Sequence, residues 1–519
     1  MTNKKNNGEL TISQVCFYVF FCILLFAKGI GLYDGQLAFK VFLLIACFAF
    51  AVKLVLTDFT LREVMYTIAM LALGMVIYLI SGEKGALFCI MLLISVKGMN
   101  VQQIFRAGLI TWILSFGSLF FLTASHLINS SVKVHDKFGL GRIIRWNLGY
   151  AHPNVLHVSL LLLLCFIVYL LGKSYNVRWF FALEVINGFV FIYSLSSTGF
   201  LVATLYLILA LYWSYRKKIG KVEKILLMLY AAGCVFISVI APLILEGRAF
   251  ELVNKLVNNR LILSQWFLTN VPIHLFGNKM TDIVTSLRTM DNSYVFALIT
   301  YGSVFFILII FGYLQLIWKL GKEQKGEALC VTIACLTAGI TEPFLFNTSF
   351  KNISLVFLGL AVYEKMQKGK IIYCGGKFDR NIEFPEIDLG KTNRRIRQSV
   401  CGKKQKLLGI SFIAGIIVGG IVFGIFKAPD RYLFPRTAFE YTNDIEESYY
   451  LQDENDAPQP GDKVIGYVDQ KTEMVPFSGN IARVEQIRNM LFAGVTTAIA
   501  VYGAGIIYLV IKEKKKKLV

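Results

Sequence analysis

Charge is what this sequence has least of. Only 17% of its 519 residues are charged, against 56% hydrophobic, where a soluble domain carries about 25% charged. With a mean hydropathy of +0.61, that scarcity excludes a water-soluble enzyme. It also excludes a disordered chain, which has too little apolar surface to offset the entropy of folding. Several catalytic signatures are missing as well: the chain has no P-loop, no GxSxG and no HExxH. No CxxC or Cys/His ligand spacing occurs, which argues against a structural zinc and a disulfide framework. Of the 10 cysteines, Cys16, Cys22, Cys47, Cys89, Cys165, Cys234, Cys330 and Cys335 fall in apolar runs, and Cys374 and Cys401 in a basic stretch. What remains is an all-α polytopic membrane protein for which no metal and no cofactor is expected.

The net charge of +20 invites a nucleic-acid partner, yet neither a helix-turn-helix nor an aromatic-basic platform accompanies it. The basic residues sit in short runs between apolar segments, such as Lys4-Lys5, Arg216-Lys217-Lys218, Lys319 to Lys325, Lys365 to Lys370, Lys403-Lys404 and Lys514 to Lys517. Runs so placed mark cytoplasmic loops, so the membrane is the expected partner and nucleic acid is not. A spanning helix needs about 20 apolar residues. On that rule about fourteen spans lie near 12–27, 37–56, 63–81, 85–96, 107–124, 151–171, 179–195, 199–214, 225–245, 292–318, 328–346, 350–363, 407–426 and 489–511. Placing Lys4-Lys5 inside and alternating sides gathers every strongly basic short loop on one side and puts both termini in the cytoplasm. The first span has the basic flank of a signal peptide but no small-x-small cleavage site, and reads as a retained anchor.

Three parts are expected: a multispanning core of about 12 helices at 1–364, a basic cytoplasmic linker at 365–406, and two helices at 407–519 flanking an acidic extracytoplasmic module at about 427–488. Pro460-Gly461-Asp462 is a turn signal before a short strand in that module. Two outer loops of the core are long, 125–150 and 246–291, and neither holds a D-x-D pair, which disfavours a metal-bound nucleotide-sugar donor. Long loops on one side suit an enzyme that builds its site at the outer surface better than a transporter rocking between two faces. The five histidines, His126, His135, His152, His157 and His274, lie in or near these loops; the rarity of His in lipid-facing helices accounts for that equally well.

Each motif has a functional and a structural reading. Gly139 to Asn154 holds Arg142, Arg145, His152 and Asn154 at the membrane rim, where they suit a phosphate and a sugar hydroxyl, or else simply anchor the interface. Between Phe250 and Asn270 a helical pattern puts Arg260 on the stripe of Val253, Leu256, Val257 and Ser264. An arginine there turns inward to an anion, or snorkels to headgroups. Asp291-Asn292-Ser293-Tyr294 opens the tenth span; Asp291, Asn292 or Ser293 caps that helix, and Asp291 otherwise serves as a general base or an orienter of an acceptor hydroxyl. Glu184 and Glu342 are intramembrane acids whose simplest role is hydrogen bonding between helices.

Taken in order, Arg142-x-x-Arg145-Trp146-Asn147-Leu148-Gly149-Tyr150-Ala151-His152-Pro153-Asn154, Leu195-Ser196-Ser197-Thr198-Gly199-Phe200, Asn259-Arg260-Leu261, Leu275-Phe276-Gly277, Asp291-Asn292-Ser293-Tyr294-Val295 and Gly302 resemble the bacterial O-antigen polymerase and O-antigen ligase superfamily. The chain looks most like the capsular polysaccharide repeat-unit polymerases of Gram-positive bacteria, over about 140–364. The resemblance implies a glycosyltransferase of the bacterial cell membrane that takes undecaprenyl-pyrophosphate-linked glycans, with a flippase and a chain-length regulator as partners in cell-envelope assembly. It implies pyrophosphate binding by Arg145 or Arg142 and by Arg260; Arg248 is a further loop arginine. Ligase relatives carry His-Asn where this chain has Asp291-Asn292, which disfavours that branch.

Chemistry alone agrees with a metal-independent transfer. Pyrophosphate is a good leaving group, so catalysis needs charge stabilisation there and a base at the acceptor, Asp291 or His152, and a single displacement inverts the anomeric centre. The rivals are a lipid-linked oligosaccharide flippase and an O-antigen-type ligase. A flippase should line an intramembrane cavity with its charges, whereas Arg142, Arg145, Arg248 and Arg260 fall in predicted loops.

Overall fold

The computed structural model describes residues 9–125, 127–128, 130–136, 142–216, 218–279, 290–366, 370–383, 403–435, 449–450, 461–465, 473–477 and 481–516. The chain is an all-α polytopic membrane protein. Among the described residues eleven helices are long and apolar enough to cross a membrane. Three shorter helices, Gly85–Ser95, Gly326–Ala338 and Ser354–Met366, stand where the fourth, eleventh and twelfth spans are expected. Thirteen residues rise only about 20 Å, against a hydrocarbon core of about 30 Å. The short helices are tolerable because protein surrounds them: every residue of Gly85–Ser95 except Leu87 is buried, and irregular backbone at membrane depth survives only under such cover. The long helices instead present Leu44, Phe48, Val185 and Phe412 outward, as a lipid-facing surface requires.

The chain divides into two compact units, one made of Leu10–Leu119 with Asn154–Ile382, the other containing Phe120–Pro153 and Glu383–Val519. In the larger unit, local chemistry sets the helix ends. Thr60 and Glu63 close a capping box on Leu61–Ser81, with Thr60 N donating to Glu63 Oε2 at 2.7 Å. The Leu195 to Phe200 motif is a junction of three helices. Buried His157 bonds Ser194 Oγ at 2.9 Å and Asn187 Oδ1 at 2.8 Å, while Asn187 Nδ2 and Thr204 Oγ1 both donate to Glu184 Oε1. A Cβ at Gly199 would stand 2.7 Å from that of His157. Glu184 thus joins its own helix to the next.

The helix Ser293–Lys322 contains a π-helical turn at Ala297–Tyr301 and breaks at Gly302, whose φ is 86°. The break admits the segment 274–278. Ser303 N donates to His274 O at 3.0 Å, Val304 N to Leu275 O at 3.2 Å, and Asn278 Nδ2 to Ile299 O at 2.9 Å. Gly277, at φ 89°, would place a Cβ 1.9 Å from Thr300 O. Two glycines far apart in the sequence are therefore one interlocked joint.

In the smaller unit the helices Lys404–Ile425 and Ile481–Lys516 touch along small residues, where a Cβ at Gly415 would come within 2.6 Å of Gly494 O. Strands Tyr432–Pro435, Tyr449–Tyr450, Lys463–Val464 and Glu473–Phe477 form a four-stranded sheet, with Gly461 turning into the third at φ 106°. Val132–Asp136 and Arg142–Trp146 form an antiparallel hairpin. Trp146 Nε1 donates to Glu485 Oε1 at 3.0 Å, and Arg488, ion-paired with Glu485, donates from Nη2 to Ile144 O at 2.6 Å.

Candidate active site

The site grows from Arg260. The helix expected across 250–270 is two helices, Gly247–Leu256 and Arg260–Asn270, because Asn258 and Asn259 take positive φ of 55° and 65°. Asparagine tolerates that region better than most residues, since its amide bonds locally. Here Asn254 Nδ2 donates to Asn259 Oδ1 at 3.1 Å, and Asn254 Oδ1 accepts from Ile262 N at 3.1 Å. The break puts Leu256 on the surface, and the buried stripe becomes Val257, Arg260, Leu261, Ser264 and Phe267.

Arg260 is buried and its guanidinium turns inward. Nε donates to Thr341 O at 3.3 Å and Nη1 to Asn258 O at 3.0 Å, while Nη2 stands 3.5 Å from Glu342 Oε1 and 3.7 Å from Asp291 Oδ2. A snorkelling arginine would end in headgroups; this one ends on protein at every nitrogen. The anion it meets is a pair of the chain's own carboxylates.

Those carboxylates differ. The eleventh span is helical only to Ala338, so Glu342 lies beyond the helix, as a residue before proline favours. Its carbonyl accepts from Ser293 Oγ at 2.5 Å, and the same irregular segment carries buried Lys351, whose Nζ donates to Ser159 Oγ at 2.8 Å. The Glu342 side chain is 9% exposed and that of Asp291 33%, so Asp291 is the more accessible carboxylate. Asp291 is also not the helix cap. Asn292 is, with Oδ1 accepting from Tyr294 N and Val295 N and Nδ2 donating to Ile340 O at 2.9 Å. A small cleft is lined by Arg260, Ser264, Phe267, Met290, Asp291 and Asn292, among others.

Of the residues expected in the site, Arg260, Asp291 and Asn292 come together. Arg248 is exposed on the helix Gly247–Leu256. Asn154 is buried in the first turn of Pro153–Leu171 in the larger unit. Arg145 and His152 belong to the smaller unit, Arg145 buried in the strand Arg142–Trp146 and His152 half-buried just before that helix. The Arg142 side chain, like His126, lies outside the described residues. Beside them in that segment, Asn147 Nδ2 donates to Ser131 Oγ at 2.8 Å and Gly149 N to Ser130 Oγ at 3.0 Å, so part of the 142–154 motif closes its own turn.

Sequence reasoning missed Glu342 as the partner of Arg260. The signal was the Glu342-Pro343 dipeptide, which marks a helix end and hence a carboxylate outside the helical ladder. Among the described residues no three His, Cys, Asp or Glu side chains converge as metal ligands. The cluster offers an accessible carboxylate held by a guanidinium, which can accept a hydroxyl proton, and a guanidinium edge that can bond oxyanions.

Fold and site together define a multispanning membrane protein with a buried charge cluster at one end of its larger helical unit. Comparison of the chain with protein-family models, curated proteins and solved structures finds no match.

Proposed function

We propose that this chain is a polymerase of the bacterial cell membrane, joining polyprenyl-pyrophosphate-linked oligosaccharide units into a cell-surface polysaccharide by an inverting, metal-independent glycosyl transfer. The observation that carries the reading is the meeting of an accessible Asp291 and a buried Arg260 at one cleft, 3.7 Å apart, within the stretch whose motif order resembles that of such enzymes. Asp291 takes the proton of the acceptor hydroxyl. Arg260 stabilises the departing pyrophosphate. The pair between its Nη2 and Asp291, at 3.7 Å, is longer than the roughly 2.7–2.9 Å of a strong charge-assisted bond, so a phosphate oxygen can replace it. Glu342 keeps the guanidinium in place. In the sequence reading His152 is the competing base; in the same unit as Asp291, Arg248 and Asn154 are further substrate contacts. Both termini lie in the cytoplasm, and a flippase and a chain-length regulator act beside the enzyme.

A deletion strain tests this through its lipid-linked glycans. Single repeat units on lipid are the expected product. Full-length polymer left on lipid would indicate a ligase, and intermediates held facing the cytoplasm a flippase.

A further inference from the structure

At the other end of the larger unit, two hollows flank the Gly172–Ser174 turn. The helix Ser293–Lys322 fixes the polarity: it starts beside Glu342, and its last turn carries Lys319, which pairs with Glu364. One hollow of about 480 Å³ holds Lys173, Lys319 and Lys325 with Glu323, Glu327 and Glu364. Its lysines are largely compensated, because Lys325 pairs with Glu323 at 2.7 Å and Lys319 with Glu364. The second, also about 480 Å³, has a different balance: Lys173, Arg216 and Lys218 face a single lining carboxylate, Glu327. Glu223 bonds Arg216 Nε at 3.1 Å from outside the lining. The indole N–H of Trp213, which lines this hollow, is buried and meets no acceptor among the described residues. Tyr215 and Arg216 also border an open apolar groove of about 430 Å³ along Ile208, Leu211 and Tyr212.

A basic hollow with an orphaned donor, continuous with an apolar groove on the outside of a membrane helix, has the shape of one amphiphile. We propose that it binds a single anionic glycerophospholipid. The phosphate sits among Lys173, Arg216 and Lys218, an ester or phosphate oxygen accepts from Trp213 Nε1, and an acyl chain lies along Ile208, Leu211 and Tyr212. Basic pockets between membrane helices are the usual seats of such headgroups, and a lone phosphate would leave the apolar groove without an occupant. None of these residues belongs to the Arg260 cluster, so the inference stands apart from the enzymatic reading.

The test uses the purified, delipidated full chain in detergent, titrated with phosphatidylglycerol or phosphatidylcholine, with bound lipid counted by native mass spectrometry. Phosphatidylglycerol should saturate at one tightly held molecule and phosphatidylcholine should not. Lys173→Gln with Lys218→Gln should weaken phosphatidylglycerol about thirtyfold, near fivefold per lysine, while the double Arg variant restores it. Both lysines are exposed, so these variants should fold. Equal affinity for the two lipids, undiminished binding by the Gln variant, or full displacement by soluble glycerol 3-phosphate would each overturn the proposal.

Discussion

Arg260 shows how one side chain decides between two readings that a sequence leaves level. Its place on an apolar stripe was legible from periodicity, and so was the need for an anion; that the anion is Glu342, 82 residues further on, was not, because periodicity carries no information about distant contacts. The contact set predicts the behaviour of variants. Lysine cannot reach Thr341 O, Asn258 O and two carboxylates from one ammonium, so Arg260→Lys should lose polymerisation almost as fully as Arg260→Ala, by about two orders of magnitude or ~3 kcal/mol. Polymer rate at matched membrane abundance measures it, and full activity of the Lys variant would remove Arg260 from the site. The carboxylates should separate by exposure. Asp291→Asn should abolish turnover and leave the melting temperature in detergent nearly unchanged, because Asn292 alone supplies the cap. Glu342→Gln should lower both, with a stability loss of about 1–3 kcal/mol, since it deprives a buried guanidinium of a charged acceptor. Near-normal polymer from Asp291→Asn would transfer the base role to His152.

At the scale of elements, hydropathy located fourteen runs, each helical for at least part of its length among the described residues, because a run of apolar residues is a local property. It located their ends less well. The eleventh and twelfth were expected over 328–346 and 350–363, and the helices found are Gly326–Ala338 and Ser354–Met366 with 15 residues of irregular backbone between them. That segment supplies Thr341 and Glu342 to the site, so the part of the site that was missed is the part where a helix stops early. The joint at Gly277 and Gly302 was likewise visible only as two motif glycines. Its geometry makes a firm forecast: Gly302→Ala needs a left-handed backbone and puts a Cβ 2.3 Å from Leu275 O, so folded yield in detergent should fall sharply. By contrast Gly188→Ala, where a Cβ meets nothing within 4 Å, should be neutral. Similar yields for both would show that the break at Gly302 is not a constraint.

For the whole molecule, the alternation of basic loops predicts that Asn270→Cys reacts with an impermeant thiol reagent in intact cells lacking native cysteines, and that Lys322→Cys does not; the reverse pattern would invert the topology. The C-terminal stretch looked separable in sequence because its composition changes after residue 364. Within the smaller unit, however, its last helix holds the hairpin at 132–146 through Glu485 and Arg488, both buried. Glu485→Ala removes the ion pair to Arg488 and the acceptor that Glu485 offers Trp146 Nε1, a loss of about 1–3 kcal/mol, and should expose the hairpin to protease in isolated membranes. Protease resistance equal to the parent protein would show that these contacts do not hold the hairpin. Whether this chain forms glycosidic bonds is tested most directly by reconstitution. Purified protein in proteoliposomes, given a polyprenyl-pyrophosphate-linked repeat unit and no divalent cation, should yield a ladder of longer glycans with one polyprenyl pyrophosphate released per bond, and Asp291→Asn should yield none. Substrate that crosses the bilayer unchanged in length would contradict glycosidic bond formation.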